Sequence, residues 1–116
     1  MGPSVISGRL TFDDTEPFEN ATVWVVLEDV TRADGLSREV SRLKISGHTH
    51  SPGSPPLEFS LTHDPLDPNR RYEIRAHVDR TSSGRLKPGD QTTMQSYPVA
   101  TQGYPSRVHA KLRRID

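Results

Sequence analysis

Apolar and polar side chains alternate along several segments of the chain with a period of two, which is typical of a β-strand. The segment 71–79 shows this best, and one of its faces consists of Tyr72, Ile74, Ala76 and Val78. Residues 4–12 and 107–113 follow the same scheme. In each of these strands, one face is therefore expected to lie in a core and the other in solvent.

Weaker patterns predict further strands at 38–46, 57–62 and 92–99, and an apolar run predicts one at 21–30. Ten prolines and eight glycines separate these segments. The pattern predicts an all-β fold, a seven-stranded antiparallel two-sheet sandwich of the immunoglobulin-like kind, because each sheet can bury its single apolar face against the other. No apolar stripe at helical spacing stands out, although a turn or two of helix would fit within 34–43.

The length and charge of the chain indicate how many domains it forms and which partners are not expected. The 116 residues are sized for a single domain, 1–116. Fifteen basic and fifteen acidic residues cancel, which argues against nucleic acid or an anionic membrane as the main partner. No stretch approaches a membrane span or a secretory leader, so direct membrane insertion is not expected. We expect the periplasm or cell envelope if a leader has been removed, and the cytoplasm otherwise.

The continuous apolar run 23–27 contains the candidate binding residues. If Val23, Val25 and Leu27 face the core, then Trp24 and Val26 must face outward. One reading is that a loop covers this second face, or that Trp24 belongs to the core after all. The other is an exposed apolar patch that contacts a partner, because aromatic residues are common anchors of contact surfaces. Trp24 and Val26 are the predicted binding residues.

Two of the five histidines, His48 and His50, are spaced so that a strand would present both imidazoles on one side. A metal site normally needs a third ligand and a rigid support, whereas this pair lies in a stretch rich in glycine and proline that predicts a loop over 47–56. We therefore expect solvated loop histidines, no metal site and no cofactor. The chain contains no cysteine that could supply a thiolate ligand or nucleophile.

A histidine beside a carboxylate, as in His63 and Asp64, is a common proton-transfer unit. Adjacent residues usually diverge, however, and Asp64 and Asp67 each precede a proline, which favours turn carboxylates that accept hydrogen bonds from nearby backbone N–H groups. Tyr72 follows this corner, and its hydroxyl is expected to bond back to the loop backbone. No nucleophile, acid and base occur in a recognisable order, so we expect no enzyme.

Several short motifs occur in a consistent order along the chain. They are Gly8 in the opening strand, Asp29–Asp34 (DVTRAD), Pro56–Leu61 (PLEFSL), Tyr72–Ala76 (YEIRA) and Tyr97–Gly103 (YPVATQG). Together they resemble the YbaY-like lipoproteins, a group that includes the type III secretion pilot protein YscW. The resemblance implies a β-sandwich and, for members with leaders, an outer-membrane lipoprotein facing the periplasm. It also supports the outward facing of Trp24 and Val26, since relatives tend to carry small polar residues there.

These features favour a non-enzymatic binding or accessory domain of the bacterial cell-envelope lipoprotein type, such as a pilot or chaperone-like module. Its expected partner is another protein on the Trp24 face or an extended peptide at a sheet edge. The alternative is a module that binds glycans or envelope polymers, in which Trp24 with Tyr97 or Tyr104 would stack on a sugar ring. A histidine-based metal enzyme is a third hypothesis.

Overall fold

The structure is a computed structural model that describes residues 4–32 and 35–116. These residues form eight strands: β1 (Ser4–Thr11), β2 (Phe18–Asp29), β3 (Arg38–His50), β4 (Leu57–His63), β5 (Tyr72–Asp79), β6 (Gln91–Thr93), β7 (Pro98–Val99) and β8 (Arg107–Arg114). The helical turn considered within 34–43 is wrong over the residues described, because β3 begins at Arg38. None of the described segments forms a helix long and apolar enough to cross a membrane.

Two strands differ from their predicted extents. The segment 92–99 is divided into β6 and β7, because the hydroxyl of Tyr97 accepts the N–H of Lys111 at 2.8 Å, where a strand would otherwise continue the ladder. In contrast, β3 continues to His50 through the predicted loop. Irregular pairing near Asn20 and Gly47, both with positive φ (51° and 69°), bends the two strands without ending them.

The strands form one sheet in the order β3-β2-β5-β6-β8-β1-β4, and β7 pairs with β5 beside it. The first and last strands of this order meet where the hydroxyl of Ser41 donates to the carbonyl of Thr62 at 2.7 Å, so the sheet nearly closes. All neighbours are antiparallel except β1 and β8, which are parallel.

This arrangement confirms the all-β class and corrects the predicted architecture. The seven-stranded antiparallel sandwich becomes eight strands with one parallel pair, and the immunoglobulin-like arrangement is not confirmed. The physical reason is that period-two alternation specifies which face of a strand is buried but not which strand lies beside it.

Alternate residues of the main strands fill one core. Its fully enclosed apolar side chains include Ile6, Leu10, Val23, Val25, Leu27, Ile74 and Val78. Gly8 lies on β1 directly opposite Val108 of β8. A Cβ there would overlap the carbonyl oxygen of Val108 and lie 3.1 Å from the ring of Phe59, so this position requires glycine.

The start of the DVTRAD motif is a structural corner. The buried carboxylate of Asp29 accepts hydrogen bonds from the N–H and hydroxyl of Thr31 at 3.0 and 2.5 Å and from Arg70 at 3.0 Å. The Thr31 hydroxyl in turn accepts the N–H of Arg71 at 2.9 Å. Burial alone would raise the pKa of Asp29, but the bonds from Thr31 and Arg70 lower it below its usual value. The motif thus ties the end of β2 to the start of β5; its last two residues, 33–34, lie outside the described chain.

The predicted hydrogen bond between the Tyr72 hydroxyl and the preceding loop is confirmed. The hydroxyl of Tyr72 accepts the N–H of Asp67 at 3.1 Å, and the carboxylate of Asp67 accepts the N–H of Asn69 at 2.9 Å, as expected of a turn carboxylate. This corner fixes the register at which β5 enters the sheet.

Candidate functional site

Trp24 and Val26 lie on the face of β2 that points away from the core. Their neighbours Val23, Val25 and Leu27 belong to the core cluster, whereas Trp24 and Val26 do not. The predicted facing is therefore confirmed, and it follows from the alternation of a strand flanked by β3 and β5 on both edges.

The outer face is not a bare apolar patch. Val26 is buried beneath neighbouring side chains, and Trp24 is half-buried. The guanidinium of Arg42 lies 5.1 Å from the centre of the indole, and Nζ of Lys44 lies 5.6 Å from it. Both cations interact with the aromatic ring from the adjacent strand β3. The reading of Val26 as exposed is thus wrong, because long charged side chains cover it.

Three rows of side chains cross this face from β3 over β2 to β5. In order along β2 they are Lys44, Trp24 and His77 (the Trp24 row), then Arg42, Val26 and Arg75 (the Val26 row), then Glu39, Glu28 and Glu73 (the glutamate row). Directly opposed residues on one face of a sheet have Cβ atoms about 5 Å apart, so the members of each row are neighbours. A sequence without strand register cannot show these rows.

The charges of the last two rows pair with each other. Arg42 donates to both carboxylate oxygens of Glu39 at 2.8 and 2.6 Å, and Arg75 lies 3.5 Å from the carboxylate of Glu28. The bidentate bond raises the pKa of Arg42 and lowers that of Glu39. It also holds the guanidinium of Arg42 over the indole.

In the part of the chain that the structure describes, the Trp24 row has no such direct ion pair, although the carboxylates of Asp79 and Asp90 act on His77 from a distance. Within residues 4–32 and 35–116, neither Lys44 nor His77 forms an ion pair or hydrogen bond with a carboxylate. The imidazole of His77 packs against Trp24 with ring centres 6.5 Å apart. Burial, followed by the nearby guanidinium of Arg75, lowers the pKa of His77. This shift favours the neutral imidazole, which leaves Lys44 as the cation of this row.

A shallow cleft of about 360 Å³ opens over the first two rows. We call it the Trp24 cleft. Its lining consists of Trp24, Val26, Glu39, Arg42, Arg75, His77 and Gly84. The cleft combines an aromatic ring, an apolar floor and charged walls, a composition that suits a protein or peptide segment.

The loop after β5 supplies the Gly84 wall of this cleft. The buried carboxylate of Asp79 accepts the N–H of Gly84 at 2.8 Å and that of Ser83 at 3.2 Å. Burial would raise the pKa of Asp79, but these bonds and one from the N–H of Thr81 outweigh it and lower the pKa. Asp79 therefore holds the loop against the Trp24 face.

A second buried carboxylate anchors the far end of the same loop. Asp90 is fully buried and accepts the N–H of Lys87 at 3.1 Å and the N–H and Nε of Arg80 at 3.1 and 3.2 Å. The guanidinium of Arg80 also donates a hydrogen bond to the carboxylate of Glu16 at 3.1 Å. Neither loop carboxylate was predicted from the sequence, although an aspartate at each end of a Gly- and Ser-rich segment is the pattern that predicts such caps.

The histidines lie apart from one another or in apolar surroundings within the described residues, and two of them differ from the sequence-based expectation. His50 is buried in β3 against the rings of Phe12 and Phe18, and its Nε2 donates to Asp14 at 2.7 Å. The expectation of a solvated loop histidine is therefore wrong for His50. Burial, and then the nearby His50, lowers the pKa of His48. No group of three metal-ligating side chains occurs among the described residues.

The other predicted constellations are not assembled. The buried His63 donates through Nδ1 to the backbone carbonyl of Asp64 at 2.7 Å, so the carboxylate of Asp64 does not orient it. Tyr97 is buried and bonded to Lys111, while the half-exposed Tyr104 lines a different cleft of about 130 Å³. Neither tyrosine lines the Trp24 cleft to form a sugar-stacking platform with Trp24.

The chain is similar to a known protein family and to a solved structure. A family model described as "Type III secretion system lipoprotein chaperone (YscW)" matches residues 4–112, whereas similarity to YbaY is not confirmed. No curated protein matches the sequence. A solved structure described as an alternative pilotin from the type II secretion system of Vibrio cholerae is 24% identical, with 99% of each chain covered and a TM-score of 0.78. That likeness shows a shared fold. Since the family model covers nearly the whole sequence, the chain belongs to the type III secretion system lipoprotein chaperones (YscW).

Proposed function

We propose that this chain is a non-enzymatic accessory protein of the pilot or chaperone kind, which acts in the cell envelope and binds a protein subunit of a secretion system, such as a secretin. Membership of the lipoprotein chaperone family and the fold shared with a pilotin support this role. The finer part of the proposal is that Trp24 and Val26 form the binding site.

The single observation that carries this assignment is the outward Trp24 in an open cleft. A tryptophan on the outer face of a sheet has no role in filling the core, and the half-buried ring still has accessible surface. Buried aromatic and arginine anchors account for most of the energy of protein interfaces. Arg42, fixed by Glu39, keeps the indole in one orientation, which lowers the entropy lost on binding.

The test is the affinity of a purified secretin for the full chain carrying Trp24→Ser. We expect the dissociation constant to rise at least about tenfold, which corresponds to about 1.4 kcal/mol. Tyr104→Ser is the matched control, because Tyr104 is an exposed aromatic residue in a different cleft. Thermal unfolding of each variant shows that it is folded. A folded Trp24→Ser variant that binds the secretin as tightly as the wild type contradicts the assignment.

A further inference from the structure

Charge is distributed unevenly along the Trp24 cleft. At one end, the arginines of the Val26 row are neutralised by the glutamate row, through Arg42 with Glu39 and Arg75 with Glu28. Beyond the other end, Lys44 lies opposite Trp24, outside the lining of the cleft, and interacts with the indole and with no carboxylate of the described chain. An exposed cation without a carboxylate partner, next to a half-buried aromatic ring, favours a ligand that brings a negative charge.

The floor beside this cation consists of Val26 and the aliphatic parts of Arg42 and Arg75 that cover it. Val26 is directly next to Trp24 on the same face of β2, two residues along the strand. That spacing separates the two rows by about 7 Å. A side chain placed over Val26 would displace water from the aliphatic parts of the two arginines, while a side chain placed over Trp24 would meet Lys44 and His77.

We propose that the Trp24 cleft binds an acidic peptide segment of the partner, with an apolar side chain on the Val26 row and a neighbouring carboxylate against Lys44 and His77. This inference rests on the proposed function and specifies the chemistry of its partner. His77, which packs against the indole, offers a ring N–H that donates to the same carboxylate. Glu73 of the glutamate row forms no ion pair within residues 4–32 and 35–116, so it repels acidic groups at the opposite end and favours one direction of the segment.

Two synthetic peptides test this chemistry. Both have ten residues with blocked termini; one alternates leucine with glutamate and the other alternates leucine with glutamine. Binding to the full chain is followed by the fluorescence of Trp24, the only tryptophan. At low salt the glutamate peptide should bind about fivefold more tightly than the glutamine peptide, the effect of one partly exposed ion pair. High salt should remove this preference.

Substitutions of single lysines show which residue causes the preference for the glutamate peptide. Lys44→Gln should abolish the preference for the glutamate peptide, whereas Lys111→Gln, an exposed lysine on β8, should leave it unchanged. Equal binding of the two peptides, absence of binding by both, or a preference that survives Lys44→Gln would each overturn the inference. These results are distinguishable from failure of the proposed function: a secretin that requires Trp24 but ignores Lys44→Gln supports the binding site and refutes the acidic partner.

Discussion

Replacing Asp79 by asparagine should loosen the loop that forms the Gly84 wall of the Trp24 cleft. The two carboxylate oxygens of Asp79 accept the N–H groups of Ser83 and Gly84 separately, at 3.2 and 2.8 Å. An asparagine amide has one oxygen, so its NH2 group would face one of these donors. Hydrogen bonds to charged groups are worth about 1.5–3 kcal/mol. Because one bond survives in weaker form, we expect the free energy of unfolding to fall by about 2 kcal/mol at pH 7.

The effect of this substitution should depend on pH in a defined direction. The pKa of Asp79 is lower in the folded protein than its usual value, because backbone N–H bonds outweigh the opposing effect of burial. Such a group stabilises the fold fully above its unfolded pKa of about 3.9, and this contribution is lost as the pH falls through the folded pKa. The difference between wild type and Asp79→Asn should therefore be complete at pH 7 and shrink below about pH 4.

Urea denaturation followed by Trp24 fluorescence measures both effects. In the folded variant, acrylamide should also quench Trp24 more readily, since Gly84 no longer holds its position at the cleft. Asp64→Asn is the matched control, because Asp64 is exposed and its carboxylate makes no hydrogen bond to residues 4–32 or 35–116. A stability within about 0.5 kcal/mol of wild type at pH 7, or a difference that stays constant down to pH 3, would refute this account of the loop.

Three further substitutions probe the fold and the face. Gly8→Ala should lower the free energy of unfolding by about 3 kcal/mol in urea titrations, because the new methyl overlaps the backbone of Val108; near-wild-type stability would show that β8 shifts freely. Tyr72→Phe should cost about 1 kcal/mol by the same assay, since one loop N–H loses its acceptor, and no change would mean that water replaces it. Arg42→Ala should increase acrylamide quenching of Trp24, because the guanidinium no longer covers the ring; unchanged quenching would show that the stacking does not persist in solution.

The sequence was informative wherever a feature depends on local alternation. The facing of Trp24 and Val26 follows from the parity of β2, and the alternation of β5 likewise appears in the structure as predicted. The hydrogen bond between Tyr72 and its loop was also predictable, because the turn and the hydroxyl that closes it lie within a few residues of each other. Such features require no knowledge of which strands are neighbours.

Features that depend on distant pairing were not predictable in this way. The place of Lys44 and His77 on either side of Trp24 follows from the register of three strands. His50 is buried because β3 continues past Gly47. A glycine in this stretch is a loop signal in the sequence, but here its positive φ bends the strand without ending it. The two loop carboxylates, Asp79 and Asp90, are buried only because the segment between them folds back over them. A single sequence contains the residues of this site but not their arrangement.

The parallel pairing of β1 with β8 has a consequence for how the chain folds. It joins Ser7 to Arg107, which are 100 positions apart, so the sheet is completed only when the last strand arrives. Proteins dominated by such distant contacts fold in milliseconds to seconds. Until β8 docks, β1 and β6 each have an open edge that can pair with another chain. Because a side chain at Gly8 would overlap the backbone of β8, its substitution should delay this docking and lower the yield of soluble protein.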